Sequence, residues 1–350
     1  MAEVSIVGDQ LALCGSDGFT LYDFSSMRPT KKLAALGSVA QVALLAMANV
    51  AAVLLEHKRR VVLYDLDNDT RISDMYFDCD VLAVRLNPKR LVVVQAEMVH
   101  QYDLQTLDPL PQIRTSTPPN VDGLVALSTL TPDGKCVVAV PQSGDVLDTS
   151  RGDVFLVDSI GFASVTVVCA HRTRVTHIAF SQSSNCFATA SLRGNVIRVF
   201  TLSGVMLYSF KRGNSAATIY GLALSGDGAM AACTSSSGTL HVFNGADADA
   251  AKDKEARSFS KTDVGTTRSM IQLSADGRNL WLVHPPGGAS RGGVDGSPSE
   301  GEKTRGSRFG RLSSAARDSS PGAGGLQPCR VTRYVIDEGK TKFETEHTVP

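Results

Sequence analysis

The sequence predicts an all-β chain folded as one seven-bladed β-propeller of WD-repeat-like layout across residues 1–350. Three observations lead there: apolar β-rich runs recur with the same ending, the endings are spaced like four-stranded blades, and helical periodicity is nearly absent. The endings are Leu21-Tyr22-Asp23-Phe24, Leu63-Tyr64-Asp65-Leu66, Gln101-Tyr102-Asp103-Leu104, Leu156-Val157-Asp158, Val199-Phe200-Thr201, Val242-Phe243-Asn244 and Val335-Ile336-Asp337. Anchored at 22, 64, 102, 157, 200, 243 and 336, they stand 42, 38, 55, 43, 43 and 93 residues apart. Four of the six gaps fall at or near the roughly 40–45 residues of a blade.

Each element can be justified in order. Val39 to Leu55 is Ala-rich, but its neighbours demand two strands there. Leu91-Val92-Val93-Val94, Cys136-Val137-Val138-Ala139-Val140 and Val165-Thr166-Val167-Val168 are short β-branched strands. Pro132-Asp133-Gly134, Gly226-Asp227-Gly228 and Ala275-Asp276-Gly277 are turns between strands. The 55-residue gap is explained by a surface loop from Pro141 to Gly152. The 93-residue gap holds Pro285 to Pro328, with 11 Gly, 8 Ser and 5 Pro in 44 residues. Such a segment cannot offset its ordering entropy by burial, so 285–328 is expected to be a disordered insert within blade 7.

Composition excludes several functions. Lys+Arg and Asp+Glu both number 35, so the electrostatic footprint of a nucleic-acid binder is missing. No apolar stretch of about 18 residues suggests a membrane span. Met1-Ala2-Glu3-Val4 lacks the features of a signal peptide. Seven scattered cysteines without a C-x-x-C pair suggest buried free thiols in a reducing compartment. A cytosolic protein, monomeric in solution, is expected.

Catalytic signatures fail too. There is no His-Glu-x-x-His, no Gly-x-Ser-x-Gly and no phosphate loop ending in Gly-Lys-Ser/Thr. Among the histidines, His171 and His177 are six apart, which is not a zinc spacing. No catalytic residue, metal or cofactor is expected. A lone propeller histidine, taken by itself, reads as a structural hydrogen bond inside a blade.

The most informative segment runs from His171 to Phe243. It contains Ala188-Thr189-Ala190-Ser191-Leu192-Arg193-Gly194-Asn195-Val196-Ile197-Arg198-Val199-Phe200, then Phe210-Lys211-Arg212-Gly213, then Thr234-Ser235-Ser236-Ser237-Gly238-Thr239-Leu240-His241-Val242-Phe243. This resembles the PROPPIN family, the WIPI-like phosphoinositide-binding propellers of autophagy. Its hallmark is Phe-Arg-Arg-Gly, here Phe210-Lys211-Arg212-Gly213. Ala83 to Val93 is similar to the family's third-blade strand pair, and Thr117-Pro118-Pro119-Asn120-Val121-Asp122-Gly123-Leu124-Val125-Ala126-Leu127-Ser128 to its link into blade 4. The resemblance runs from about Gly8 to Lys261, and more loosely beyond.

The resemblance implies two phosphoinositide sites and the residues of each. The first would use Lys211 with His171, Ser191, Arg193 and Asn195. The second would use Arg212 with Thr234, Ser235, Thr239 and His241. Arg198, as a strand residue, reads as a ladder or blade-to-blade contact and is left out. The residue chemistry suits the role. Arginine offers phosphate a planar fork and lysine a point charge. Adjacent side chains on an extended segment point to opposite sides, so one basic pair can serve two pockets. If His171 and His241 donate to phosphate as imidazolium, mildly acid pH should tighten binding.

The sequence departs from the family pattern in three places. Lys211 replaces the first arginine of the hallmark and loses a bidentate contact, and Asn195 stands where threonine is common. The blade-6 loop, about Gly245 to Ser269, has five acids and five bases but only Phe259 and Val264 as sizeable apolar groups, a poor bilayer wedge. The insert has six basic and four acidic residues. The resulting expectation is a peripheral membrane protein that binds phosphatidylinositol 3-phosphate, with the 3,5-bisphosphate as a second candidate. It would recruit lipid-transfer or conjugation proteins of autophagy to preautophagosomal, endosomal or vacuolar membranes. The rival reading is a WD-repeat scaffold that has lost lipid binding. An enzyme ranks third.

Overall fold

The computed structural model describes residues 4–7, 10–34, 36–45, 48–115, 119–131, 133–142, 152–250, 256–286, 328–337 and 340–349. Its strands form seven separate sheets, each drawn from one continuous stretch of chain apart from a single added strand. Blade 1 is β1 (Val4–Val7), β2 (Gln10–Cys14), β3 (Gly18–Asp23) and β4 (Pro29–Ala34). Blade 2 is β5 (Val39–Leu45), β6 (Val50–Leu55), β7 (Arg60–Asp65) and β8 (Thr70–Tyr76). Blade 3 is β9 (Ala83–Leu86), β10 (Arg90–Val94), β11 (Met98–Asp103) and β12 (Pro109–Arg114). Blade 4 is β13 (Ala126–Leu130), β14 (Cys136–Gln142), β15 (Gly152–Asp158) and β16 (Ser164–His171). Blade 5 is β17 (Val175–Phe180), β18 (Cys186–Ser191), β19 (Val196–Thr201) and β20 (Met206–Lys211). Blade 6 is β21 (Ile219–Leu224), β22 (Met230–Ser235), β23 (Thr239–Asn244) and β25 (Ser260–Asp263), interrupted by α1 (Gly245–Ala250) and β24 (Ala256–Arg257). Blade 7 is β26 (Met270–Leu273), β27 (Asn279–His284), β28 (Cys329–Asp337) and β29 (Lys340–Val349).

All seven sequence anchors sit on the third strand of their blades, and the Ala-rich stretch is β5 and β6, as its neighbours demanded. The recurring aspartate has a local cause. Asp23, Asp65, Asp103 and Asp158 each end a third strand and accept backbone N–H groups two or three residues on, closing the turn into the outer strand. Four residues after each aspartate, Met27, Asp69, Leu107 and Phe162 take the left-handed conformation that this turn requires.

Strand alternation sends successive side chains to the two neighbouring blades, and the core is a ring of inter-blade layers. Phe187 and Phe200 pack between blades 4 and 5. Ile197, Val199 and Phe210 meet Cys233 and Phe243 between blades 5 and 6. Leu11, Tyr22 and Phe24 of blade 1 meet Trp281, Val283 and Val331 of blade 7. No strand crosses that last seam among the described residues: β1 pairs with β2 and β29 with β28.

The extra strand is β24. It leaves blade 6 and pairs in parallel with β20 of blade 5, Phe210 opposite Ala256 and Lys211 opposite Arg257. The loop at 143–151 and residues 287–327 of the expected insert, which falls between β27 and β28, lie outside the described residues. Of the seven free cysteines, five are buried; Cys79 and Cys169 are exposed, contrary to the expectation of buried thiols throughout.

Candidate functional site

The hallmark segment ends the outer strand of blade 5. Phe210 is fully buried towards blade 6, stacked 5.0 Å from the Phe243 ring. Lys211, next along, is paired with Val196 and directed to the blade 4 side. Arg212 returns to the blade 6 side. The two cations therefore enter different grooves, at the rim formed by the second-to-third strand turns and the connections between blades.

Arg212 is buried and anchored. Its backbone N–H donates to Asn195 O at 2.9 Å. Its Nε donates to Gly194 O at 2.6 Å, its Nη2 to Ser215 O at 2.6 Å and its Nη1 to Ser237 Oγ at 3.3 Å. Of five guanidinium N–H groups, two remain to meet a ligand. The anchor depends on Gly194. A Cβ at this position would lie 2.0 Å from Ala217 O, and its φ is +59°. Only glycine lets the 213–218 connection approach so closely.

A chain of hydroxyls continues from Arg212. Ser237 Oγ lies 2.8 Å from Ser235 Oγ and 3.0 Å from Thr239 Oγ1. Thr239 Oγ1 is 2.9 Å from His241 Nε2, and His241 Nδ1 is 3.0 Å from Ser258 Oγ. Burial, then the Arg212 and Lys261 charges, pushes the His241 imidazole down to about 4. The blade 5–6 groove thus unites Arg212, Ser235, Thr239 and His241. Thr234 is not among them. One strand position from Ser235, it faces blade 7, where Ser269 Oγ donates to its Oγ1 at 3.0 Å. The same alternation that divides Lys211 from Arg212 divides Thr234 from Ser235. Ser237 and Ser258, absent from the sequence-derived set, complete the chain; the S-S-S run obscured which serines share a face.

The blade 4–5 groove is built from Ser191 on β18, Lys211 on β20 and His171 at the end of β16. His171 Nε2 is 2.9 Å from Thr189 Oγ1, two residues before Ser191 on the same face. Burial, then the Arg198 charge, pushes His171 down to about 4. Arg193 is exposed on the adjoining turn, and Asn195 is in that turn with its carbonyl accepting from Arg212. Arg198 makes the blade-to-blade contact that its strand position suggested, and it does so beside this groove. It donates Nη1 to Ala170 O at 2.6 Å, and its buried Nε has no partner among the described residues. Strand register places it: Arg198 pairs with Thr189 as His241 pairs with Cys233, so the two occupy corresponding positions of successive blades.

With both imidazoles pushed to about 4, the ligand-free grooves hold His171 and His241 neutral between pH 5.5 and 7.5. The blade-6 loop keeps its apolar groups inside, since Phe259 and Val264 pack against the blade 6–7 core. Among the described residues, no cluster of His, Cys, Asp and Glu could hold a metal, and no helix is long and apolar enough to cross a membrane.

Fold and rim define a seven-bladed propeller with a divided basic pair on its fifth blade. The PROPPIN family model matches residues 7–269, and the chain belongs to that family. It is 27% identical over 344 residues to autophagy-related protein 18 of Aspergillus clavatus, covering 93% of this chain and 78% of that one. The corresponding Neosartorya fischeri protein is 28% identical over 345 residues, covering 93% and 75%. Among solved structures, Kluyveromyces lactis Hsv2 superposes with a TM-score of 0.71 at 14% identity over the whole of both chains. KlAtg21, solved with the coiled-coil of AgAtg16, superposes with 0.73 at 18% identity, also over both whole chains.

Proposed function

We propose that the chain binds 3-phosphorylated phosphoinositide headgroups at the two grooves flanking blade 5. It then acts as a recruitment platform on preautophagosomal, endosomal or vacuolar membranes, and not as an enzyme. The observation that carries this reading is the division of Lys211 and Arg212 between separate grooves, each furnished with hydroxyl and imidazole groups. Each groove offers positive charge and neutral donors, the chemistry that holds a phosphorylated inositol. Two modest sites on one rigid body gain avidity at a membrane, roughly 10²–10⁴ in apparent affinity. With Phe259 and Val264 packed inward, membrane residence depends chiefly on the headgroups. Phosphatidylinositol 3-phosphate is the first ligand candidate and the 3,5-bisphosphate the second. Protein partners belong to the lipid-transfer and conjugation machinery of autophagy, in keeping with the coiled-coil held by KlAtg21.

One observation favours the scaffold reading: Arg212 donates to two backbone carbonyls and thereby supports the rim without any ligand. Liposome flotation separates the two. Wild type and Lys211→Ala/Arg212→Ala are compared on vesicles without phosphoinositide, with the 3-phosphate and with the 3,5-bisphosphate. Lipid-dependent flotation lost in a folded variant supports the proposal; no flotation of the folded wild type leaves the scaffold.

A further inference from the structure

The pairing of β24 with β20 places two cations side by side. Paired residues of a parallel ladder project to the same face, on strands about 4.8 Å apart. Phe210 and Ala256 both enter the blade 5–6 core, so Lys211 and Arg257 stand together on the opposite face, that of the blade 4–5 groove. Arg257 is exposed and Lys211 half-buried. Among the described residues, neither has an ion pair or a side-chain hydrogen bond. Like charges opposite one another in a sheet are destabilising. Among the described residues nothing compensates this pair, yet the strap from blade 6 is registered so as to create it. A one-residue slip would turn Arg257 towards the core and expose Ala256.

A phosphomonoester dianion is the ligand chemistry that removes the repulsion and is gripped by both side chains. We propose that Arg257 completes the blade 4–5 headgroup site, supplying from blade 6 the planar fork that Lys211 does not have. This rests on the phosphoinositide reading above and assigns one of its sites a residue outside the hallmark segment. The site is then composite, with Lys211 as the point charge and Arg257 as the bidentate donor.

The test is a titration of the full chain with soluble inositol 1,3-bisphosphate, beside flotation on phosphatidylinositol 3-phosphate vesicles and on vesicles of phosphatidylserine alone. Arg257→Gln should weaken binding of the soluble headgroup at the blade 4–5 site about tenfold or more, as expected for loss of a charge-assisted contact. Arg257→Lys, which keeps the charge and loses the fork, should also weaken it. Lys211→Arg in the Arg257→Gln background should restore it, because the fork returns from the neighbouring strand. The melting temperature of Arg257→Gln should not fall, since removing one of two like charges relieves repulsion. Wild type binding the headgroup with Arg257→Gln equal to it overturns this proposal alone. A loss confined to phosphatidylserine vesicles overturns it too, by reducing Arg257 to general surface charge. Wild type binding neither headgroup nor 3-phosphate vesicles overturns it together with the phosphoinositide reading.

Discussion

The Phe24 ring of blade 1 lies 5.4 Å, centroid to centroid, from the Trp281 indole of blade 7. The seam around it is apolar, with Leu11 and Tyr22 on one side and Val283 and Val331 on the other. Side chains hold the ring closed where strand pairing does not.

Trp281→Ala should therefore destabilise the chain by about 3–5 kcal/mol, the range for deleting a large buried aromatic. Trp281→Phe should cost clearly less. It keeps the ring contact and removes an indole Nε1–H that is buried without a partner among the described residues. Urea unfolding of the two variants checks the order.

Replacing Arg212 should affect stability as well as binding. Arg212→Ala leaves the Gly194 and Ser215 carbonyls without their donor, a loss of about 1–3 kcal/mol. Lysine should not rescue it, because one ammonium cannot reproduce the fork that spans both carbonyls. Thermal melts of Arg212→Ala and Arg212→Lys, read beside flotation, test this.

Gly194→Ala should weaken lipid binding from outside the grooves. The new methyl would meet Ala217 O and require a left-handed backbone, shifting the carbonyl that anchors Arg212. A cost of about 1–3 kcal/mol is expected from such strain. Headgroup affinity unchanged in Gly194→Ala would show that Arg212 does not depend on this turn.

Acidification should not tighten binding. His171 and His241 titrate at about 4 in the folded chain, while the ligand's own phosphate begins to lose charge near pH 6. Calorimetric titration at pH 5.5 and 7.5 should show equal or weaker binding at the lower pH. Stability responds differently. His171, His177, His241 and His284 are all lowered from 6.5 to about 4, burial being the largest cause for each. Between those values the unfolded chain binds more protons, so the histidine contribution to stability is full above pH 6.5, falls towards pH 4 and levels below. The slope approaches about 1.4 kcal/mol per pH unit for each histidine. Denaturant midpoints measured from pH 7 to 4.5 follow the fall.

The blades were legible because their signal is local. An aromatic or aliphatic residue before Asp23, Asp65, Asp103 or Asp158 marks the third strand and its turn at once. The division of the basic pair followed from strand alternation alone. What escaped was register. Thr234 and Ser235 are neighbours in sequence but face different blades, and Arg198 joins a groove through its position opposite Thr189. The β24 strand is two residues long and pairs with a strand of the preceding blade, so no periodicity announces it. The protonation of the histidines was not legible, because their environment, not their type, decides it.

The seam between blades 1 and 7 also bears on the order of folding. Every other blade contact joins neighbours in the chain, so each can form after closing only a modest loop. The seam that Phe24 and Trp281 share joins the two ends of the described chain, and closing it incurs the largest loop-closure entropy of any seam. Ring closure should thus be a late event, made on blades already formed. An open arc of blades, with the Trp281 face still exposed to solvent, is the intermediate that this architecture favours.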